Sequence, residues 1–408
     1  MSGGMRRPKI HTLLNKPLLF IRIVFILCGF LYLSSRLTAT RHANDDDTRP
    51  RFLSPSSFRN KPDLAYEKRI STALQGIEKA VLAENGGDTL AEERIWQIAK
   101  NEAQRGSDSL SLEHHNSEWE YALVTDEKAI NFVTNVLSAV PEIAGAYMSY
   151  PHYVLRTDLL RYLLLWYYGG FYADMDVFPA RSIKTCPDLK PLFFADDDKQ
   201  KPTPRNVSLI LGIELDEPYI STRGMREWHW TRRYGFMQYT MYAPRRFSPL
   251  LREIITRVIA HTKQHNERLS SYIGRYSQNA VLGMTGPDVV TDAVLDVLSA
   301  TLPTTHELVD ISMKADAGID GLPVSKSTGK TQRRVTWAPF HRIQSPLCID
   351  DGEAKLERSM GGLCVLPINA WGNGQRHSGS EGFNGSKACI NHRFSGSWKK
   401  RWWQSVFG

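Results

Sequence analysis

The sequence predicts an α/β protein with a mostly parallel sheet flanked by helices. Short runs rich in Val, Ile, Leu and Tyr alternate with longer runs of helical periodicity. That is the pattern of a sheet covered on both faces, whose ligands sit at the carboxyl ends of its strands. The chain's 408 residues, 42% apolar and 10% aromatic, are ample for a large core. The formal charge of +8, from 51 basic against 43 acidic residues, is a mild excess. With no long Lys/Arg block apart from the tail WKKRWW, it argues for no nucleic-acid partner, and a diphosphate substrate accounts for it as well. No internal repeat, GxGxxG or Walker motif is present.

Residues 1–17 read as a cytoplasmic tail, with Arg6, Arg7, Lys9 and Lys16 ahead of the apolar run PLLFIRIVFILCGFLYLSS. Residues 18–35 read as a transmembrane signal anchor. Leu18 to Leu33, with Arg22 its only charge, is at the short edge of what spans a bilayer and suits the thinner membranes of the early secretory pathway. Arg22 can snorkel toward the headgroups. The basic N-terminal side keeps that end cytosolic and places the bulk of the chain in the lumen, although Arg36, Arg41, Arg49 and Arg51 follow the span. A cleaved signal peptide is the competing reading, because Ile23 to Leu33 has the length of a signal-peptide core.

Residues 36–90 read as a polar, proline-punctuated tether followed by an amphipathic helix. Ile70, Leu74, Ile77 and Val81 recur at helical spacing and the pattern ends near Gly86-Gly87. The stripe is too short for a coiled-coil stem and is read as packing on the main domain. A luminal chain also gives meaning to two N-glycosylation sequons, at Asn206 and Asn384, and to four cysteines beyond Cys28 in the anchor. Cys186, Cys348, Cys364 and Cys389 permit two disulfides in any of three pairings.

Residues 91–408 form the predicted catalytic domain. RIWQIAK, from Arg94, is a buried first strand and YALVTD, from Tyr121, a second, with a helix over KAINFVTNVL. Leucines and aromatics at 155, 159, 160, 163 and 166 predict a mostly buried helix that Gly169-Gly170 stops. NVSLILGIEL predicts an interior strand, and SPLLREIITRVIAHTKQ and TDAVLDVLSATL two more helices.

Within RTDLLRYLLLWYYGGFYADMD, Asp158 and Arg161 are three apart and share one helix face, ordinarily a surface ion pair. FYADMD is predicted extended, which points Asp174 and Asp176 the same way, roughly 7 Å apart, with Met175 toward the core. Carboxylates so placed repel each other unless a cation lies between them. Their oxygens suit Mn²⁺ or Mg²⁺ completed by water and substrate phosphates, so a nucleoside diphosphate is the natural partner. A glycosidase pair would instead flank the bond it cuts.

The stretch RTDLLRYLLLWYYGGFYADMDV resembles the signature of glycosyltransferase family 32, the sugar transferases with a DXD metal motif. RIWQIAK, GIELDEP, TGPDVVTDAVL and ACINHRFSGSWKK fall in the order seen in its fungal initiation-specific α-1,6-mannosyltransferases, and the likeness runs from Glu92 to Trp403. The resemblance implies a GT-A-like nucleotide-diphospho-sugar transferase fold and retaining transfer of mannose from GDP-mannose to an N-glycan of glycoproteins. It also implies a Golgi membrane location of type II topology, with the ER as the alternative, and allows a complex with other mannosyltransferases. Asp174 and Asp176 would hold Mn²⁺ and the donor diphosphate, and Asp158 and Arg161 the donor sugar. Gly170 and Tyr172 would belong to the same donor site, and Trp96 would stack near the base unless it is simply core. His392, Ser397 and Trp398 would close over the diphosphate, with His392 either reaching the metal or holding a disulfide-pinned loop. Glu214 and Asp216 would line the acceptor side or form a salt-bridged strand end, with Gln238 a weaker candidate. The family often carries Trp where Tyr239 stands, which leaves the acceptor open. An inositolphosphoceramide acceptor and a non-catalytic subunit are the alternatives.

Overall fold

The computed structural model describes residues 24–30, 32, 52, 56–194, 206–268, 276–317, 332–353 and 359–394. The chain divides into two compact units, one made of Met1–Pro50 with Tyr219–Trp230, the other of Arg51–Pro218 with Thr231–Gly408. In the first, residues 24–30 are helical and Phe25, Ile26 and Phe30 are exposed. Its second part holds a six-residue helix, Thr222–Glu227, capped by the Ser221 hydroxyl, which accepts from the Gly224 N–H. Most of the predicted anchor, 18–35, lies outside the described residues, and no helix among those described is long and apolar enough to cross a membrane.

The second unit is built on a seven-stranded sheet of order β2-β1-β3-β6-β5-β8-β7. Its strands are β1 (Arg94–Ile98), β2 (Glu120–Val124), β3 (Gly170–Ala173), β5 (Leu209–Asp216), β6 (Tyr234–Ala243), β7 (Leu347–Ile349) and β8 (Leu363–Leu366). β1 is parallel to β2 and β3, β6 is antiparallel to β3 and β5, β8 is parallel to β5, and β7 is antiparallel to β8. Five of the seven strands therefore point one way, with β6 and β7 reversed. Alternation along β1 shows the two faces: Trp96 and Ile98 belong to one core cluster, Ile95 to the other.

The first cluster fills the space between the sheet and helices α1 (Leu64–Glu84), α3 (Tyr153–Tyr168), α4 (Pro249–Arg268), α5 (Gln278–Met284) and α6 (Pro287–Thr301). Helix α2 (Ser107–His115) lies on the other face, where its Leu112 joins the second cluster. The amphipathic stripe in the stem is part of this unit: α1 buries Ile70, Leu74 and Ile77. It also delivers Glu78 to Arg252 Nη1 of α4, at 2.6 and 2.8 Å, and to Trp166 Nε1 of α3, at 2.9 Å. Removing that carboxylate strands a guanidinium and an indole N–H in a nearly dry site.

Helix α3 ends because Gly169 takes φ of 69° as its N–H closes on Leu165 O at 2.9 Å. A Cβ at Gly169 would lie 2.4 Å from that of Ala91, and one at Gly170, at φ of 91°, would lie 2.6 Å from Arg94 O. Only glycines let the chain leave the helix and enter β3 beside β1. After Ala173 the chain does not stay extended. Asp174 to Val177 is a turn closed by the Val177 N–H on Asp174 O at 3.1 Å, and Met175 is half-buried rather than in the core. The reason is a change of sheet. β3 is held between β1 and β6, whereas β4 (Val177–Pro179) pairs with β9 (Ile390–His392) in a separate two-stranded sheet.

That small sheet sets Val177 opposite His392. A Cys186–Cys389 disulfide, closing 203 residues of chain, fixes the entry to β9, and Cys348–Cys364 joins facing positions of β7 and β8. Peptide mapping under non-reducing conditions should recover these two pairings and neither of the other arrangements. Glu78→Ala should cost about 3–5 kcal/mol, the range for breaking one side of a buried pair, measured by chemical denaturation.

Candidate active site

The carboxyl ends of β1 and β3, the C-terminal half of β5 and the middle of β6 converge on one polar cluster. Its centre is Arg161, 3% exposed on α3. Arg161 Nη1 lies 3.1 Å from Asp158 Oδ1, and its Nη2 lies 3.2 Å from Asp174 Oδ1. The guanidinium also sits 5.0 Å from the centroid of the Tyr172 ring, whose hydroxyl donates to Asp174 Oδ1 at 2.6 Å. The D-x-x-R pair thus does share a face, but that face is buried, not on the surface. Asp158 is 1% exposed and accepts from Thr285 Oγ1 at 2.8 Å and from Gln238 Nε2 at 3.3 Å.

One guanidinium is shared by two carboxylates, and the burial of the first decides how the charge divides. Burial pushes the Asp158 carboxyl up to about 7, against the pull of Arg161 and Thr285 and with a further push from Asp174. Burial alone would lower the Arg161 guanidinium, but Asp174, Tyr172 and Asp158 together hold it well above its usual value. Arg161 therefore stays charged and Asp158 is the member that holds a proton.

The turn carries Asp174 and Asp176, each with about 29% of its side chain exposed. His392 Nε2 lies 2.9 Å from Asp176 Oδ1. The ring stacks on Tyr239 at 4.2 Å between centroids and 8° between planes, and Phe394 meets its edge at 4.4 Å. His392 Nδ1 is buried with no hydrogen-bond partner. One ligand atom from each of Asp174, Asp176 and His392 falls within 4.8 Å of the others. Two carboxylate oxygens and an imidazole nitrogen, partly open to solvent, form a donor set that fits a divalent cation with positions to spare for further oxygen ligands.

β6 presses on this site from behind. Tyr239 O accepts the Asp174 N–H at 2.8 Å, so the residue that departs from the family pattern lies against the acidic turn and His392. Gln238, beside it, also accepts from the Tyr162 hydroxyl while donating to Asp158. Glu214, half-buried on β5, faces the cluster. After burial, its charge is the largest influence holding the Tyr239 hydroxyl up.

Three expectations change. Asp216 is no free carboxylate: at 2% exposure it accepts from Trp337 Nε1 at 2.8 Å and Arg342 N at 2.7 Å, and pairs with His341 Nδ1 at 2.8 Å. Its own N–H is taken by Ser378 Oγ at 2.8 Å, so it ties two loops to the end of β5. Trp96 is core rather than a stacking platform, 6% exposed, with Nε1 donating to Gly169 O at 2.8 Å and its ring 5.3 Å from Tyr168. Gly170 acts through its backbone, letting β3 approach β1. Ser397 and Trp398 lie outside the described residues, and the sequon residues Asn206 and Asn384 are exposed.

Tyr162, Thr285 and Gln97 were not singled out by sequence. Thr285 opens the TGP segment, and its position in that motif was the available signal.

Residues 104–192 match the family described as "Glycosyltransferase sugar-binding region containing DXD motif", which brackets Asp158, Arg161, Asp174 and Asp176. With the relatives below, this match makes the chain a glycosyltransferase. Within that class it is α-1,6-mannosyltransferase-like. It is 22% identical to "Initiation-specific alpha-1,6-mannosyltransferase" of Saccharomyces cerevisiae over 93% of this chain and 94% of that one. It is 26% identical to the protein so named in Candida albicans over 70% and 65% of the two, just under two thirds of that relative's length. A shorter match, 31% identical over 25% of this chain and 27% of the other, is to "Inositol phosphoceramide mannosyltransferase 3" of Schizosaccharomyces pombe.

Because the Asp158 carboxyl is raised in the fold, the native state holds its proton more tightly than the unfolded chain does. The stability it contributes is fully present below the unfolded carboxylate range, near pH 4, and is lost as pH rises to about 7. The difference in unfolding free energy between wild type and Asp158→Asn should therefore shift against wild type across that window and level off above it. A difference constant with pH contradicts the assignment.

Proposed function

We propose that this chain transfers mannose from GDP-mannose to an N-glycan of glycoproteins, in α-1,6 linkage, with retention of configuration and with Mn²⁺ or Mg²⁺ at the acidic turn. The observation that carries the reading is the convergence of Asp174, Asp176 and His392 within 4.8 Å beside the buried Asp158–Arg161 pair. The names of the relatives support the linkage and the sugar, and the Saccharomyces one matches over nearly its full length. We further propose a single-pass type II Golgi membrane protein with its catalytic domain in the lumen, supported by the apolar run at 18–35.

Asp174, Asp176 and His392 would hold the cation. A divalent ion bound there supplies charge neutralisation for the leaving diphosphate. The other roles belong to the chain itself. Arg161 pairs with Asp174 and keeps its carboxylate oriented, because the guanidinium is held between two carboxylates out of water. Tyr172 fixes the same oxygen of Asp174 by donating to it. Asp158, buried and held by Thr285 and Gln238, anchors Arg161 from the helix side. Glu214 lines the β5 side, where the acceptor hydroxyl would approach.

Transfer to inositolphosphoceramide is the second reading, favoured by the short match to a protein named for that activity.

The test is incubation of the purified chain with Mn²⁺ and a panel of sugar nucleotides, scored first for donor hydrolysis and then for transfer to a high-mannose glycan or to the ceramide. GDP-mannose with the glycan should be preferred, and preference for a uridine donor sinks the proposal. Asp174→Ala and Asp176→Ala should each lower transfer by roughly a thousandfold, the equivalent of several kcal/mol of lost charge stabilisation. Thermal unfolding of Asp176→Ala should stay close to that of wild type, whereas Asp174→Ala, which takes one of two counter-charges from the buried Arg161, should unfold at a lower temperature.

A further inference from the structure

Gln97 is a polar side chain at a fully buried position of β1, 0% exposed, in a strand that otherwise reads as core. A buried amide is costly unless both ends are satisfied. Both are, in one direction each. Gln97 Oε1 accepts from the Tyr121 hydroxyl at 2.9 Å, and Gln97 Nε2 donates to the main-chain oxygen of Asp174 at 2.9 Å. The relay continues behind Tyr121, whose hydroxyl bonds Ser109 Oγ at 2.9 Å. Arg105 Nε donates to the same Ser109 oxygen at 3.2 Å, and the guanidinium covers the Tyr121 ring at 4.0 Å. Arg105 is paired in turn with Glu113.

Asp174 O is also the acceptor that closes the turn, from Val177 N at 3.1 Å, while the Asp174 N–H is held by Tyr239 O at 2.8 Å. Both sides of the Asp174 backbone are therefore fixed from neighbouring strands, the amide by β6 and the carbonyl by Gln97 of β1.

We propose that Gln97, oriented by Tyr121, is a positioning residue for the cation site: it holds the Asp174 carbonyl so that the turn presents Asp174 and Asp176 together toward His392. Gln97 touches none of the proposed ligand atoms and acts only through the backbone. The inference rests on the metal reading above.

Outer partners that orient ligands typically change metal affinity by about 10–100-fold when removed. Gln97→Glu is nearly isosteric and keeps an acceptor for Tyr121, but as a carboxylate it offers Asp174 O no donor and sets a negative charge against it. In the full-length protein, Mn²⁺ binding read by loss of the free-ion electron paramagnetic resonance signal should weaken about 10–100-fold in Gln97→Glu. Tyr121→Phe leaves the amide in place but loosens its orientation, and should give a smaller loss in the same direction. In kinetics, the Mn²⁺ concentration for half-maximal rate should rise in both variants, while kcat at saturating Mn²⁺ recovers to near wild type. A merely structural role would lower the unfolding temperature and leave Mn²⁺ affinity of the folded protein unchanged, which overturns the inference while leaving the metal reading intact. Should wild type itself bind no Mn²⁺, the metal reading falls and this inference with it. Should Gln97→Glu fail to fold, unchanged Mn²⁺ affinity in Tyr121→Phe overturns the inference alone.

Discussion

Arg161 lies between Asp158 and Asp174, buried, and the arrangement of the site follows from it. A guanidinium out of water needs counter-charge close by, and here one carboxylate comes from its own helix and the other from the acidic turn. The hydrophobic helix α3 is thus more than a core element. It is the rigid mount that carries a positive charge to the end of β3, and Gly169-Gly170 makes the tight return that brings Asp174 back to meet it. With Arg161 neutralising Asp174 and His392 facing Asp176, the turn can be assembled before any ligand arrives. It stays open enough, with about 29% of each carboxylate side chain exposed, to exchange those partners for a cation.

The remainder of the fold converges on the same turn. β6 runs antiparallel between β3 and β5 and contributes Gln238 to Asp158 and Tyr239 to His392, so adjacent residues of one strand serve both halves of the site. The chain segment after Cys389 returns from the far end of the sequence, pairs with β4 and supplies His392. Asp216, at the end of β5, anchors the loops at 337–342 and 378 to that end of the sheet.

Much of this could be read from local sequence because local physics determines it. The periodicity of 155–166, the Gly-Gly stop and the three-residue spacing of Asp158 and Arg161 concern helix geometry, and the structure keeps them. What escaped depends on partners distant in the chain. FYADMD looks extended because its residues favour a strand, but the switch of partners from β1 and β6 to β9 turns the chain at Asp174. Nothing within the stretch announces β9, whose His392 lies 216 residues away. Asp216 looked catalytic because a carboxylate ends an interior strand, and only the loop bearing Trp337 and His341 shows what consumes it. Gln97 was passed over inside a buried strand, though a lone amide among Ile95, Trp96 and Ile98 was itself a sign that something polar lay opposite.

The central claim is that Asp174, Asp176 and His392 form one cation site that receives a nucleoside diphosphate. Crystals of the protein grown with MnCl₂ and GDP, measured at the manganese absorption edge, test it most directly. The account predicts a single strong anomalous peak within coordination distance of a carboxylate oxygen of Asp174 or Asp176 and of a diphosphate oxygen, with the His392 ring turned toward it. GDP bound with the manganese peak elsewhere, or with none at this turn, would contradict it.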